Sequence, residues 1–207
     1  MLRILFVRHG RTTWNVEGRV QGGGDLDEVG RTQAMALANR LSEEKIKAVY
    51  ASPFARTTQT AEIISSKHEV EIQTSPLLKD LDYGKYSGSL LTDVKKSDPE
   101  LWVKWRDSPD LVTFENGESL SLLRARIKKF IKQLAVDSSE GKVLCVTHDS
   151  PIRVIVSLAL GYDDSFHNDK SLVTPLASLT EINVDSDKYE IIVRQDSSHL
   201  KGISENH

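Results

Sequence analysis

The sequence predicts an α/β fold: three α/β/α layers around a largely parallel sheet, with a helical insertion near 89–117. Three observations carry this. Short apolar runs alternate with segments of helical periodicity along the chain. Two of the runs, Leu2 to Val7 and Lys142 to Thr147, end at a turn that carries a histidine, His9 and His148. Helix-start signals stand between the runs, at Asp27, Ser52-Pro53, Asp98-Pro99 and Ser150-Pro151. No repeat and no break in composition marks a boundary, so 1–207 reads as one domain with a loose tail over 197–207.

Leu2 to Val7 is long enough for a buried strand and too short for a capped helix. Gly10 after it lets the chain turn sharply or lets a ligand approach the backbone. The polar stretch from Arg11 to Gly24 reads as a loop, since its glycines match neither a P-loop nor a dinucleotide fingerprint. Asp27 caps a helix expected over 28–44, with Ala34, Leu37, Ala38 and Leu41 on one face. Ile46 to Ala51 is a second strand. Ser52-Pro53 then reads as a cap for a helix over 53–66, which places Arg56 in its first turn. Val70 to Thr74 is a short third strand, and 76–88 is irregular. Residues 89–117 form a helical excursion expected to cover the site, with Trp102 and Trp105 as core anchors. A long amphipathic helix runs to about Val136, with Leu120, Leu123, Ile127, Phe130, Ile131 and Leu134 as its apolar face. Lys142 to Thr147 is an interior strand. Ser150-Pro151 caps a helix that Gly161 stops. Leu176 to Val184 and Tyr189 to Gln195 close the sheet as a hairpin.

The 207 residues suffice for one sizeable core. A formal net charge of −3 and a pI near 6.1 argue against a nucleic-acid or acidic-membrane binder. The single cysteine, Cys145, excludes an internal disulfide and a cysteine metal cluster, and reads as a small buried hydrophobe. No secretory leader or membrane-length apolar stretch is visible, so a cytoplasmic protein is expected.

The residues that carry chemistry are Arg8, His9, Arg56, Asp80 and His148, each at or near the end of a regular element. Two arginines converging on one crevice suggest a phosphate, whose oxygens match the guanidinium fork. A neutral imidazole beside them is a competent nucleophile toward phosphorus. A carboxylic acid held neutral would protonate the leaving alkoxide, and Asp80 or Asp82 is available for that task. Taken singly, a histidine at a strand end is more often a hydrogen-bonded structural residue, and His68, His167, His199 and His207 are read that way. A metal site from His9, His148 and Asp149 has no supporting spacing.

Leu5-Phe6-Val7-Arg8-His9-Gly10, with Thr12 and Asn15, resembles the signature of the histidine phosphatase superfamily, in its phosphoglycerate-mutase-like branch. The similarity continues at Gln21-Gly22, Gly30 to Ala34, Ala51-Ser52-Pro53 through Arg56, Gln59-Thr60-Ala61, Gly117-Glu118-Ser119 and Val143 to His148. The resemblance implies that His9 becomes phosphohistidine and that Arg8, Arg56 and His148 form the phosphate pocket with it. It implies that Asn15 and Gln21 reach the phosphate or substrate from the loop, and that no metal or other cofactor is needed. The proton donor falls on Asp80, where many relatives carry Glu, with Asp82 as fallback. Asp149 stands where the family usually has glycine, a charge expected to raise the pKa of His148.

The resemblance thus implies a metal-independent histidine acid phosphatase-type phosphomonoesterase acting on a small-molecule phosphomonoester. No nucleic-acid or membrane partner is expected, and a homodimer is the oligomeric expectation. The alternatives are a cofactor-dependent phosphoglycerate mutase and a non-catalytic phospholigand-binding module. The segment from Asp80 to Gly88 and the loop after Asn15 look more phosphatase-like. The substrate stays open among sugar phosphates, phosphoglycerate, nucleotides and a cobalamin-pathway intermediate.

Overall fold

A computed structural model describes residues 1–20, 23–136 and 141–203, with backbone alone at 135 and 136. Six strands form one sheet: β1 (Leu2–Arg8), β2 (Ile46–Ala51), β3 (Ile72–Thr74), β4 (Lys142–Thr147), β5 (Leu179–Asp185) and β6 (Lys188–Asp196). Their order is β3-β2-β4-β1-β5-β6. The first four run parallel, and β5 and β6 add an antiparallel edge.

Strand alternation sorts the apolar residues to two faces. Ile4 and Phe6 of β1, with Val143 and Cys145 of β4, join α6 (Leu120–Val136) and α7 (Asp149–Leu160) in one core. Leu5, Val7, Leu144 and Val146 join α2 (Glu28–Leu41) and α3 (Ala55–Ser65) in the other. This is the expected three-layer arrangement. Every residue named for the apolar face of α6 is buried, as is Cys145. Full burial of a side chain such as Phe6 stabilises the fold by about 2–3 kcal/mol.

Several boundaries differ from the sequence reading, each for a local reason. Helix α2 stops at Leu41 because its buried stripe ends there, and Ser42 and Glu43 are exposed. Helix α3 begins at Ala55 with Phe54 at its N-cap, so Ser52 is not a cap. Helix α7 begins at Asp149 with His148 at its N-cap, so Ser150 lies inside the first turn. β3 begins at Ile72 and β5 at Leu179. Of the tail read over 197–207, Ser198 to Leu200 form a 3-10 turn in which Leu200 is buried, and 204–207 lie outside the described residues. Asp27, Asp98 and Gly161 cap their helices as read.

The excursion folds as α4 (Leu91–Ser97) and α5 (Pro99–Asp107). Trp105 is buried and meets Phe114 and Tyr83 edge-on, with centroids 5.1 and 5.9 Å apart.

The turn after β1 is locked by α2 rather than opened to a ligand. A Cβ on Gly10 would stand 2.5 Å from the Gly30 carbonyl oxygen, and one on Gly30 would overlap the Arg11 carbonyl. The buried Gln33 accepts the Arg11 N–H at 2.9 Å. In an open helix Gly→Ala gains about 1 kcal/mol. Here the sign reverses, because the space holds backbone. Gly30→Ala is expected to destabilise by about 1–3 kcal/mol, the usual cost of overpacking. A urea unfolding midpoint checks this, and a stabilised variant would contradict it.

Candidate active site

Parallel strand ends bring the site together. Register pairs Arg8 with Thr147 and Ala51 with Val146. The next residues of the three strands, His9, His148 and Ser52, therefore emerge side by side at the carboxyl edge, where open α/β sheets bind ligands. The His9 and His148 rings lie edge to face, 5.2 Å between centroids.

Hydrogen bonds settle both tautomers. Arg56 can only donate. Its Nε reaches His9 Nε2 at 3.1 Å, so Nε2 carries the lone pair and Nδ1–H donates to the Gly10 carbonyl at 2.8 Å. Its Nη2 lies 3.0 Å from His148 Nδ1, so His148 Nε2–H donates to Ser52 Oγ at 2.9 Å. Arg56 itself is held by α3, which Thr60 ties to the first loop: Thr60 Oγ1 donates to the Arg56 carbonyl at 2.7 Å and accepts the Gly10 N–H at 3.1 Å.

The charges agree with these tautomers. Burial, then Arg56 and Arg8, hold the His9 imidazole well below its usual 6.5. Burial, then Arg56 and His9, do the same to His148. Burial also pulls the Arg56 guanidinium down to about 10, which leaves it cationic at neutral pH. Burial raises the Asp80 carboxyl; Arg56 opposes this and Asp149 adds to it.

A cavity of about 140 Å³ opens beside His9. Arg8, His9, Asn15, Arg56 and Asp80 all line it, together with Thr12, Trp14, Arg19, Tyr83, Asp149 and Ser150. Arg8 Nη1 donates to the Thr174 carbonyl, while its buried Nε has no partner among the described residues. Asn15 Oδ1 accepts from the N–H and hydroxyl of Thr12 in the capping box of α1 (Thr13–Glu17), so Nδ2–H is what it can offer the cavity. Gln21 lies outside the described residues. His148 is not in the lining. It is fully buried behind Arg56 and meets the cavity through that guanidinium. Asp82 is exposed, and its Oδ1 accepts the Gly84 N–H at 2.8 Å. Among the described residues no part of 89–117 lines the cavity; the excursion backs Tyr83 instead.

Asp149 departs from its expected part. It pairs with Arg153 one turn along α7, at 2.7 Å, and accepts the Thr174 N–H at 3.0 Å. Burial pushes its carboxyl up, but Arg8 and Arg153 outweigh that and hold it low. His148 is lowered, not raised, because burial and then the surrounding positive charges, Arg56 first, govern it. The Thr174 carbonyl accepts from Arg8, and Asp149 acts on that guanidinium through its charge.

Sequence reasoning missed Ser52 as the partner of His148, because Ser-Pro is also a helix-start signal. It missed Arg19, Tyr83 and Ser150 in the cavity wall. Tyr83 and Ser150 share a hydrogen bond; nothing in the spacing of 83 and 150 announces it.

The family signature has a sequence model, described as histidine phosphatase superfamily (branch 1), which matches residues 4–197. Phosphoserine phosphatase 1 of Hydrogenobacter thermophilus is 34% identical over 165 residues, covering 79% of this chain and 78% of that protein. The metal-independent phosphoserine phosphatase of Arabidopsis thaliana is 37% identical over 157 residues, 73% of this chain and 66% of that one. Other matched relatives bear the name probable phosphoglycerate mutase. Among solved structures, Bacillus stearothermophilus YhfR superposes with a TM-score of 0.91 at 26% identity, over 97% of this chain and all of that one. The matched span, residues 4–197, includes the strand ends and the paired histidines just described, and the chain belongs to the histidine phosphatase superfamily, branch 1.

Proposed function

We propose that the protein is a metal-independent phosphomonoesterase that works through phosphohistidine on His9, with Asp80 as proton donor and acceptor. One observation carries this reading. The His9 tautomer is fixed with Nε2 unprotonated, in the wall of a cavity that also holds Arg8, Arg56 and a carboxyl pushed toward its neutral form.

A substrate phosphoryl group takes the Arg56 Nε–H and the Arg8 Nε–H onto its oxygens, which releases His9 Nε2 for attack. The Nε2–P bond forms as the P–O bond to the alcohol breaks, and the Asp80 proton goes to the leaving oxygen. In the second step Asp80 takes a proton from water, the oxygen attacks phosphorus, the N–P bond breaks and phosphate leaves. The positive donors stabilise charge on the equatorial oxygens in both steps. His148, neutral and held by Ser52, fixes Arg56 without adding charge of its own. Asn15, and Gln21 by resemblance, would add donors to the phosphoryl group.

The substrate reading is a small acidic phosphomonoester, with O-phosphoserine first. The cavity is small, and Arg19 adds a third cation to its wall. Its guanidinium lies over Trp14 and donates to the Gly88 carbonyl at 2.9 Å, while Glu17 partly offsets its charge. The names of two relatives support the same choice. The test is phosphate release from O-phosphoserine in EDTA by the pure protein. Turnover under chelation is expected. Isomerisation of phosphoglycerate with a bisphosphate primer, and no phosphate release, would favour a mutase.

A further inference from the structure

Asp80 lies in no strand or helix; the 3-10 turn before it, Pro76–Leu78, is tied to β4 by the Thr147 hydroxyl, which donates to the Leu78 carbonyl at 2.6 Å. Leu78 and Leu81 on either side are fully buried. Between them, backbone carbonyls still need donors. One side chain from α6 supplies them. Arg126 Nη1 donates to the carbonyls of Leu77 and Lys79 at 2.8 and 2.7 Å, and Nη2 donates to that of Asp80 at 2.7 Å. The same guanidinium meets both carboxylate oxygens of Glu118, at 2.7 and 2.9 Å. Glu118 in turn grips the segment beyond Asp80, where its N–H donates to the Asp82 carbonyl at 2.8 Å. The close crossing of Gly84 and Gly117, where a Cβ on either would strike the other strand's backbone, closes the loop behind it.

We propose that Arg126, locked by Glu118, is the positioning residue for Asp80. It sets how far the carboxyl reaches toward the leaving oxygen. That reach matters here because aspartate has one methylene less than glutamate, so backbone placement has to supply the distance. A planar fork with donors on three nitrogens can span several carbonyls and a carboxylate at once, and an ammonium cannot. Arg126 does not line the cavity, and its link to the phosphate pocket is its charge, the last and smallest of the causes that keep His148 neutral, so its loss acts chiefly on proton transfer and leaves phosphate binding near wild type.

This inference rests on the proposed phosphatase chemistry, and the test separates the two. Arg126→Met, Arg126→Lys and Glu118→Gln are compared with wild type and Asp80→Asn, on O-phosphoserine and on nitrophenyl phosphate. Nitrophenolate leaves without a proton, so its burst reports phosphoenzyme formation alone. Arg126→Met is expected to lower kcat on O-phosphoserine by about 10²-fold, the lower range for losing a positioned acid. The nitrophenolate burst rate should change by less than about fivefold, far under a full acid–base contribution. Inhibition by inorganic phosphate should stay near wild type. The alkaline limb of the kcat profile should move to lower pH, as Asp80 gains access to water. Arg126→Lys should follow Arg126→Met, and Glu118→Gln should show a smaller change in the same direction. These two carry the test if the methionine variant does not fold. Equal losses on both substrates with an unmoved alkaline limb, or no loss at all, would overturn the proposal. A wild type inactive on both substrates would overturn the phosphatase reading itself.

Discussion

His9→Ala abolishes turnover while the fold and phosphate binding survive. The expected loss in kcat is roughly 10⁴-fold or more, as for removal of an enzymic nucleophile, which corresponds to at least about 5 kcal/mol of barrier. The reason is that nothing near it can substitute. His148 has its Nδ1 occupied by Arg56 and its Nε2–H bonded to Ser52, and it lies behind the cavity wall. Ser150 lines the cavity, but its hydrogen-bond partner is the Tyr83 hydroxyl, whose pKa burial raises and which is no base for it at neutral pH. Arg8 and Arg56 remain to hold phosphate. Steady-state hydrolysis of O-phosphoserine, with phosphate inhibition or near-ultraviolet circular dichroism as the folding control, checks it. A variant that keeps more than about a hundredth of wild-type rate would be inconsistent with nucleophilic catalysis by His9.

Asp80→Asn is expected to lower kcat on alkyl phosphates by about 10²–10⁴-fold, the range for a positioned acid or base. It also changes the shape of the pH profile, and the sign follows from the two shifts. His9 must be neutral to attack, and its pKa lies below the usual 6.5, so activity rises as pH climbs through that lowered value. Asp80 must be protonated to donate, and its pKa lies above the usual 3.8, so activity falls as pH climbs through that raised value. Both shifts widen the window in which the working pair coexists. A bound phosphoryl group adds negative charge that favours the protonated form of each. The kcat profile should therefore lie alkaline of the kcat/KM profile. The asparagine variant keeps the acid limb and loses the alkaline one. A pH series over both parameters decides, and an alkaline limb that persists in Asp80→Asn would assign it to another group.

What was legible in the sequence was the part written in continuous stretches. Strands β1 and β4 announce themselves as apolar runs, and each carries its histidine at the end, so parallel pairing alone sets His9 beside His148. The motif around Gly30 and Gln33 proves to be scaffolding: it clamps the backbone of Arg11 and so fixes the turn that carries His9. Ser52 was misread because a serine before proline serves equally as a cap or as the first residue past a strand's end. Asp149 was assigned to His148 on sequence adjacency, yet an arginine four residues on captures it. Arg126 gave no signal, since an arginine on an amphipathic helix looks solvated until the irregular 77–82 segment is packed against it. Thr174 lies far along the chain in a loop, and only the fold brings its carbonyl to Arg8 and its N–H to Asp149.

The most direct test is to trap the intermediate. The protein is mixed with ³²P-labelled O-phosphoserine, quenched in alkali within milliseconds, and digested for peptide mapping. The account predicts a label stable to alkali and labile to acid, confined to the peptide that contains His9 and absent from His9→Ala. Label on another residue, or hydrolysis at full rate with no labelled protein at any quench time, would contradict it.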